Sequence, residues 1–136
     1  LTVRDRWDTW KAHGGLDINH PAGTPIFAPF DIDRHEMFNS VHRRDGNNRW
    51  RGWHTWPDGS QWIIQVHHLI RLTVNAEDPI PAGRAMARGA GVGVGAHEHS
   101  HFVFAVVEPG QRFEDRILLD PWILFRQMYI DLHGRR

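Results

Sequence analysis

Apolar and polar residues alternate in short blocks along this chain, and turn signals separate the blocks. Three of the blocks are rich in β-branched and aromatic residues and predict strands, namely residues 24–30, 61–72 and 101–107. Turn-forming Gly, Pro, Asn and Asp residues recur between the blocks, at positions 14–15, 21–23, 45–47, 57–59, 79–83 and 109–110. Short strands with regularly spaced turns predict a mainly β, antiparallel fold.

The C-terminal segment has a different pattern. The apolar residues of 122–132 recur at helical spacing, at Trp122, Phe125, Met128, Tyr129 and Leu132. Leu119-Asp120-Pro121 precedes this segment and predicts its start. We therefore expect a C-terminal helix packed on the sheet.

Composition narrows the class of protein. A chain of 136 residues suits a single compact domain, residues 1–136, and the first residue, Leu1, predicts that this domain belongs to a longer protein. The formal net charge is zero, so no nucleic-acid partner is expected, and no apolar run reaches the roughly 18 residues of a membrane helix. Because the chain has no cysteine and eleven histidines, a metal ion would need histidine and carboxylate ligands.

Three histidines stand at every second position just before the strand predicted at 101–107. These are His97, His99 and His101. Residues two apart on a strand share a face, so the three imidazoles can point the same way. Neutral imidazole is the commonest metal ligand in proteins and a frequent general base.

A second candidate for metal binding lies near the N-terminus. His13 and Asp17 flank the pair Gly14-Gly15, whose glycines let the chain turn so that both side chains converge. This pattern is weak alone, but two imidazoles with one carboxylate form a recurring catalytic zinc arrangement with an open position for water.

These motifs and their order resemble the lysostaphin/LytM-type zinc endopeptidases, which cleave peptide cross-links in bacterial cell walls. The family pattern is His-x-Gly-x-Asp, then a His-Leu pair, and last His-x-His followed by Phe. The matching segments are His13-Gly14-Gly15-Leu16-Asp17, His68-Leu69 and His99-Ser100-His101-Phe102. Residues 23–28, 81–86 and 119–121 also resemble family segments, so the likeness covers nearly the whole chain.

The resemblance implies both a site and a fold. It implies that His13, Asp17 and His101 bind one zinc ion, and that His68 and His99 activate water and stabilise the oxyanion. The implied fold is a small antiparallel β-sheet of the LytM, or duplicated hybrid motif, type, with a groove over the metal and a C-terminal helix.

The function implied is zinc-dependent hydrolysis of peptide bonds in peptidoglycan cross-links or stem peptides. The partners would be peptidoglycan peptide and the rest of the parent chain. The place of action would be extracytoplasmic, at the cell wall or in a phage virion, and a phage tail or lysis protein is one candidate parent. Two alternatives stay open: a non-catalytic LytM-like domain that binds peptidoglycan or a partner, and a cupin-type metal protein. The cupin reading expects a Glu close behind His-x-His, whereas Glu108 is distant from His99.

Several positions depart from the family pattern. Residues 94–98 replace the usual Ser-Thr-Gly-Pro, and Val103 replaces an acidic residue. His97 would allow the register His97-x-His99, but Phe102 favours His99 and His101. Next to His68, alternation predicts that His67 faces the opposite side of the sheet.

Residues 31–62 do not align with the family and form a Trp/Arg-rich insert. Arginines 43, 44, 49 and 51 are interleaved with tryptophans 50, 53, 56 and 62. We predict a hairpin whose indoles pack on the sheet while the arginines are solvated; a groove wall that grips glycan or peptide is the functional alternative. His42 and His54 in this insert are expected at the surface.

Overall fold

The computed structural model describes residues 2–4, 10–12, 15–39, 48–89 and 98–134. The strands are β1 Thr2–Arg4, β2 Trp10–Ala12, β3 Leu16–Asn19, β4 Pro25–Phe27, β5 Arg34–Asn39, β6 Asn48–Thr55, β7 Gln61–Leu69, β8 Arg71–Leu72, β9 Ala85–Arg88, β10 His99–Val107 and β11 Ile117–Leu119. One helix, α1, spans Trp122–His133, and a short 3₁₀ turn spans Phe113–Asp115. His13 and His97 lie outside the described residues.

Antiparallel pairing organises these strands, as the sequence predicts. The larger sheet has six strands in the order β11-β10-β7-β6-β5, with β3 paired to the first half of β10. The smaller sheet has three strands in the order β4-β9-β8, and β1 pairs with β2. The mainly β, antiparallel fold class with a C-terminal helix is therefore confirmed.

The main core lies on one face of the six-stranded sheet. Alternate residues of β7 and β10, including Ile64 and Phe104, are buried there against Ile26 of β4 and Met86 of β9. The ring of Trp50, on β6, is fully buried in the same core. Burial of these apolar side chains is the main force that holds the two sheets together.

The opposite face of the six-stranded sheet, which we call the histidine face, carries the polar residues of the site. Strand register aligns one cross-strand row of four residues, Asp17, His101, His67 and Arg49. Further along the strands, Trp53, Ile63, Ala105 and Val107 form a small second core on this face, against Phe113 of the 3₁₀ turn. The polar row and this second core therefore lie next to each other on the same face of the sheet.

The predicted strand at 61–72 is two strands in different sheets. β7 ends at Leu69, and after the bend at Ile70 the chain enters β8 in the smaller sheet. The N–H of Ile70 donates to the carbonyl of Arg88, which marks the change of partner strand. The strand predicted at 24–30 is also shorter, since β4 spans Pro25–Phe27.

The C-terminal helix forms where it was predicted, but its buried side differs. Leu124 is buried, and the ring of Phe125 contacts that of Phe102 at a centroid distance of 4.9 Å. Trp122, Tyr129 and Leu132 were predicted to face the sheet and are instead exposed. The helix contacts the sheet along a narrower strip than its apolar spacing suggests. No helix in the described ranges is long and apolar enough to span a membrane.

The two strands of the Trp/Arg-rich insert pair antiparallel, as a hairpin predicts, and the pair is part of the larger sheet. β5 and β6 extend that sheet, with Trp50 buried on one face and Trp53 on the other. The predicted solvation of the arginines is wrong for Arg51, whose side chain is 16% exposed. His54 is half-buried rather than at the surface, with Nδ1 2.9 Å from the carbonyl oxygen of Asp31. Residues 40–47, including Arg43, Arg44 and His42, lie outside the described residues.

Candidate functional site

Two of the three predicted zinc ligands face each other across a strand pair. The register of β3 and β10 sets Asp17 directly opposite His101. Oδ1 of Asp17 lies 2.7 Å from Nδ1 of His101, within hydrogen-bond distance. The carboxylate is about half exposed, whereas the imidazole is mostly buried. A carboxylate oxygen and an imidazole nitrogen are therefore held together at the start of β10.

Gly15 makes this approach of the two strands possible. A Cβ at this position would overlap the carbonyl oxygen of Phe102 and would lie 2.8 Å from Nε2 of His101. Any side chain here would push β3 away from β10. The glycine that matches the third position of the His-x-Gly-x-Asp pattern thus has a steric reason in this structure.

His68 and His99, the predicted proton-handling pair, are also brought together. Their ring centroids are 4.7 Å apart at an interplanar angle of 71°. Burial lowers the pKa of His68 to about 4, with further contributions from the neighbouring His99 and His101. The imidazole of His68 is therefore uncharged at neutral pH.

The backbone of His68 is in the left-handed region, with φ of 68°. The pairing of β6 with β7 skips this residue, since Asn48 pairs with Leu69 and Arg49 with His67. His68 is therefore the extra residue of a β-bulge. The bulge directs the His68 side chain to the side on which His99 lies.

The same bulge overturns the prediction for His67. Its ring lies 4.8 Å from that of His101 and 6.3 Å from that of His68, so His67 is on the same face as both rather than the opposite one. Burial, followed by the charge of His101, lowers the pKa of His67 to about 3. Its Nε2 is buried and has no hydrogen-bond partner within the described ranges. We call His67, His68, His99 and His101 the histidine cluster.

The residue between the two histidines of β10 explains why they share a face. Ser100 is fully buried on the core side, where its Oγ and Nε2 of His20 share a hydrogen bond of 2.7 Å. Alternation then turns His99 and His101 to the histidine face. The alternative register through His97 involves a residue outside the described part of the chain.

The described residues supply two of the three ligands that the resemblance implies. His13 lies outside the described ranges, and within those ranges no group of three His, Asp or Glu side chains is arranged to hold a metal ion. The zinc site therefore stays a prediction that depends on His13. Asp17 and His101 fit such a site by their donor chemistry, because zinc accepts carboxylate oxygen and imidazole nitrogen.

Solved structures with the same fold include those of lysostaphin and LytU. The catalytic domain of the antimicrobial peptidase lysostaphin from Staphylococcus simulans superposes with a TM-score of 0.60 at 23% identity, over 84% of this chain and 79% of that one. LytU superposes with a TM-score of 0.62 at 23% identity, over 93% of this chain and 80% of that one. Against a longer lysostaphin chain the match covers 85% of this chain and 43% of the other.

At this level of identity the comparisons show the fold. No protein-family sequence model matches the chain, and neither does the sequence of a curated protein. The resemblance to the lysostaphin type that the motifs indicate is confirmed at the level of structure.

Proposed function

We propose that this chain is a zinc-dependent endopeptidase that hydrolyses peptide bonds in bacterial peptidoglycan, in cross-links or stem peptides. The observation that carries the proposal is the convergence of two pairs, Asp17 with His101 and His68 with His99, on one face of a sheet with the lysostaphin fold. Lysostaphin itself is described as an antimicrobial peptidase. The substrate implies an extracytoplasmic place of action, at the cell wall or in a phage virion.

In this proposal His13, Asp17 and His101 hold one zinc ion. When bound, zinc supplies Lewis acidity, which activates water near neutral pH and polarises the carbonyl of the scissile bond. The uncharged state of His67 and His68 favours a cation at this place, because neither imidazole repels it.

His68 and His99 carry the proton chemistry. An uncharged imidazole accepts a proton on one ring nitrogen and donates a hydrogen bond from the other. One of the two histidines takes the proton of the attacking water and later delivers it to the leaving amine. The other donates a hydrogen bond to the oxyanion that forms on the scissile carbonyl. The edge-to-face contact of the two rings places both imidazoles side by side for these roles.

The test is the His99→Ala variant, assayed for bound zinc and for release of fragments from purified cell walls. We expect zinc content close to that of the wild type and a rate lower by roughly 100-fold or more, the usual contribution of a general acid or base. His133→Ala, an exposed change on the helix, is the matched control and should keep full activity. A fully active His99→Ala protein would refute this mechanism.

Two further measurements distinguish catalysis from binding and identify the bond that is cleaved. A native protein that contains no zinc and releases no fragments would identify the non-catalytic, binding version of the fold. Mass spectrometry of fragments released from peptidoglycans of known structure would identify the bond that is cleaved. The lysostaphin fold leaves the cupin alternative without support.

A further inference from the structure

Two arginines lie beside the histidine cluster: Arg49 is the last residue of the polar row, and Arg51 follows it on the same face. Arg49 and Arg51 are two residues apart on β6, while Trp50 between them is buried in the core on the other face. Arg49 is paired with His67 across the strands, and Arg51 with Gln65. Both guanidinium groups carry a permanent positive charge close enough to depress the pKa of His67.

Among the residues that the structure describes, no carboxylate lies within ion-pair distance of Arg49. Its side chain is half-buried, and its Nε is buried without a hydrogen-bond partner among the described residues. The ion pairs that the described residues form with one another do not include Arg49. A buried N–H donor without an acceptor is unfavourable, and an anion bound to the same guanidinium group would balance its charge.

Arg51, the second arginine, packs against two aromatic rings. The guanidinium carbon lies 3.7 Å above the ring of Phe38 and 5.0 Å from the ring centre of Phe113. Glu36 approaches Nε of Arg51 at 3.8 Å, which is too long for a hydrogen bond, and its own side chain is about half exposed. Nε of Arg51 is likewise buried without a hydrogen-bond partner in the described part of the chain.

From these contacts we propose that Arg49, supported by Arg51, binds a carboxylate group of the peptide substrate next to the histidine cluster. The planar guanidinium fork matches the two oxygens of a carboxylate. Of the described carboxylates, Asp17 bonds to His101, and Glu36 forms an ion pair with Arg51 at 3.8 Å but none with Arg49. The substrate class would be peptides with a free C-terminal carboxylate or an acidic side chain. The inference rests on the proposed peptidase function, whose specificity it defines.

Four synthetic peptides test the proposal by equilibrium binding. The first pair has the same glycine-rich sequence and ends in a free acid or an amide. The second pair is amidated at the C-terminus and carries an internal Glu or Gln. We expect at least one acid form to bind the wild type roughly tenfold or more tightly than its neutral partner, as for a charge-assisted hydrogen-bonded pair. The pair that discriminates identifies the source of the carboxylate.

Variants assign the discrimination to the arginine. Arg49→Gln should bind both members of the discriminating pair equally. Arg71→Gln, the same change at an exposed position on β8, should keep the preference. The preference of the wild type should also weaken as ionic strength rises. In ¹⁵N spectra, the Nε–H signals of Arg49 and Arg51 should shift with the acid peptide and not with the amide.

The results that overturn the proposal are distinct from failure of the peptidase function. Equal binding of acid and neutral peptides, or no binding of any of the four, overturns it even if cell walls are hydrolysed. If Arg49→Gln still prefers the acid peptide and a chelator abolishes that preference, the carboxylate binds a metal ion instead of Arg49. Tighter binding of inorganic phosphate than of the acid peptide also contradicts it. Discrimination without any hydrolysis would leave the carboxylate site in place and refute the peptidase function alone.

Discussion

Gly15 lies against the imidazole of His101, so a single methyl group there should damage the site. In Gly15→Ala the new Cβ would meet the Phe102 carbonyl and Nε2 of His101. We expect a loss of stability of about 1–3 kcal/mol, as for other overpacking changes, together with weaker zinc binding and lower activity. Denaturant unfolding, zinc content and cell-wall hydrolysis measure the three effects. Wild-type stability and activity in this variant would mean that β3 and β10 are not so closely paired.

Because the backbone of His68 is left-handed, glycine at this position should favour stability while the loss of the imidazole abolishes activity. A residue with a Cβ in this conformation costs about 1–2 kcal/mol, and glycine avoids that cost at the expense of a more flexible unfolded chain. We therefore expect His68→Gly to be more stable than His68→Ala by up to about 1 kcal/mol, while both lose activity. Chemical denaturation of the two variants measures the difference. A His68→Ala protein at least as stable as His68→Gly would contradict the bulge geometry.

At the scale of residues, motif spacing predicted the pairs that meet but not the position of His67. Asp17 and His101 come together because both belong to regular strands, in which alternation holds. His67 joins the cluster because one residue, His68, has a positive φ. Positive φ is usually signalled by Gly or Asn, and this position offers neither. Alternation alone therefore gave the wrong face.

At the scale of elements, the helix α1 predicts a clear contrast between two leucines. Leu124 is 7% exposed and Leu132 is 80% exposed. Leu124→Ala should cost about 2–5 kcal/mol because it removes buried apolar contacts and leaves a cavity. Leu132→Ala should change stability by no more than about 0.5 kcal/mol, as an exposed substitution. Thermal and denaturant unfolding of the pair measure both values. Equal losses would show that the helix buries another side.

For the same helix, the spacing of apolar residues predicted the position of the element but not the side that is buried. Helical spacing predicted the element and its start, because local pattern determines them. It did not determine the buried side, since apolar residues also occur on the exposed side, among them Trp122 and Tyr129. Likewise, the apolar run at 61–72 did not reveal the bend at Ile70. A buried run has the same pattern whether its strand stays in one sheet or passes to another.

At the scale of the whole molecule, the fold separates packing from chemistry. The core between the two sheets holds most of the buried apolar side chains, while the histidine face carries the histidine cluster. The ordered motifs predicted this fold through their resemblance to the lysostaphin type. Asp17, His68 and His99 lie on strands β3, β7 and β10 of the larger sheet. The Trp/Arg-rich insert could not be placed by resemblance, yet it supplies β5 and β6 and both arginines of the proposed carboxylate site.

Zinc should stabilise the whole molecule if Asp17 and His101 are ligands. A ligand that binds the folded state alone raises the free energy of unfolding by about 2.7 kcal/mol at 100 times its dissociation constant. We therefore expect zinc to raise the unfolding temperature of the wild type and a chelator to reverse the rise. Asp17→Asn, which keeps the size of the side chain but removes its charge, should lose most of the effect. Asp58→Asn, the same change at an exposed turn, should keep it.

This experiment separates metal binding from the stability of the fold. The carboxylate of Asp17 is about half exposed, so its replacement should change the metal-free unfolding temperature only slightly. A zinc effect that is equal in Asp17→Asn and in the wild type would exclude Asp17 as a ligand. It would assign the metal to other histidines and remove the basis of the proposed mechanism. An effect lost in Asp17→Asn but kept in His99→Ala would support the division of the site into ligands and proton-handling residues.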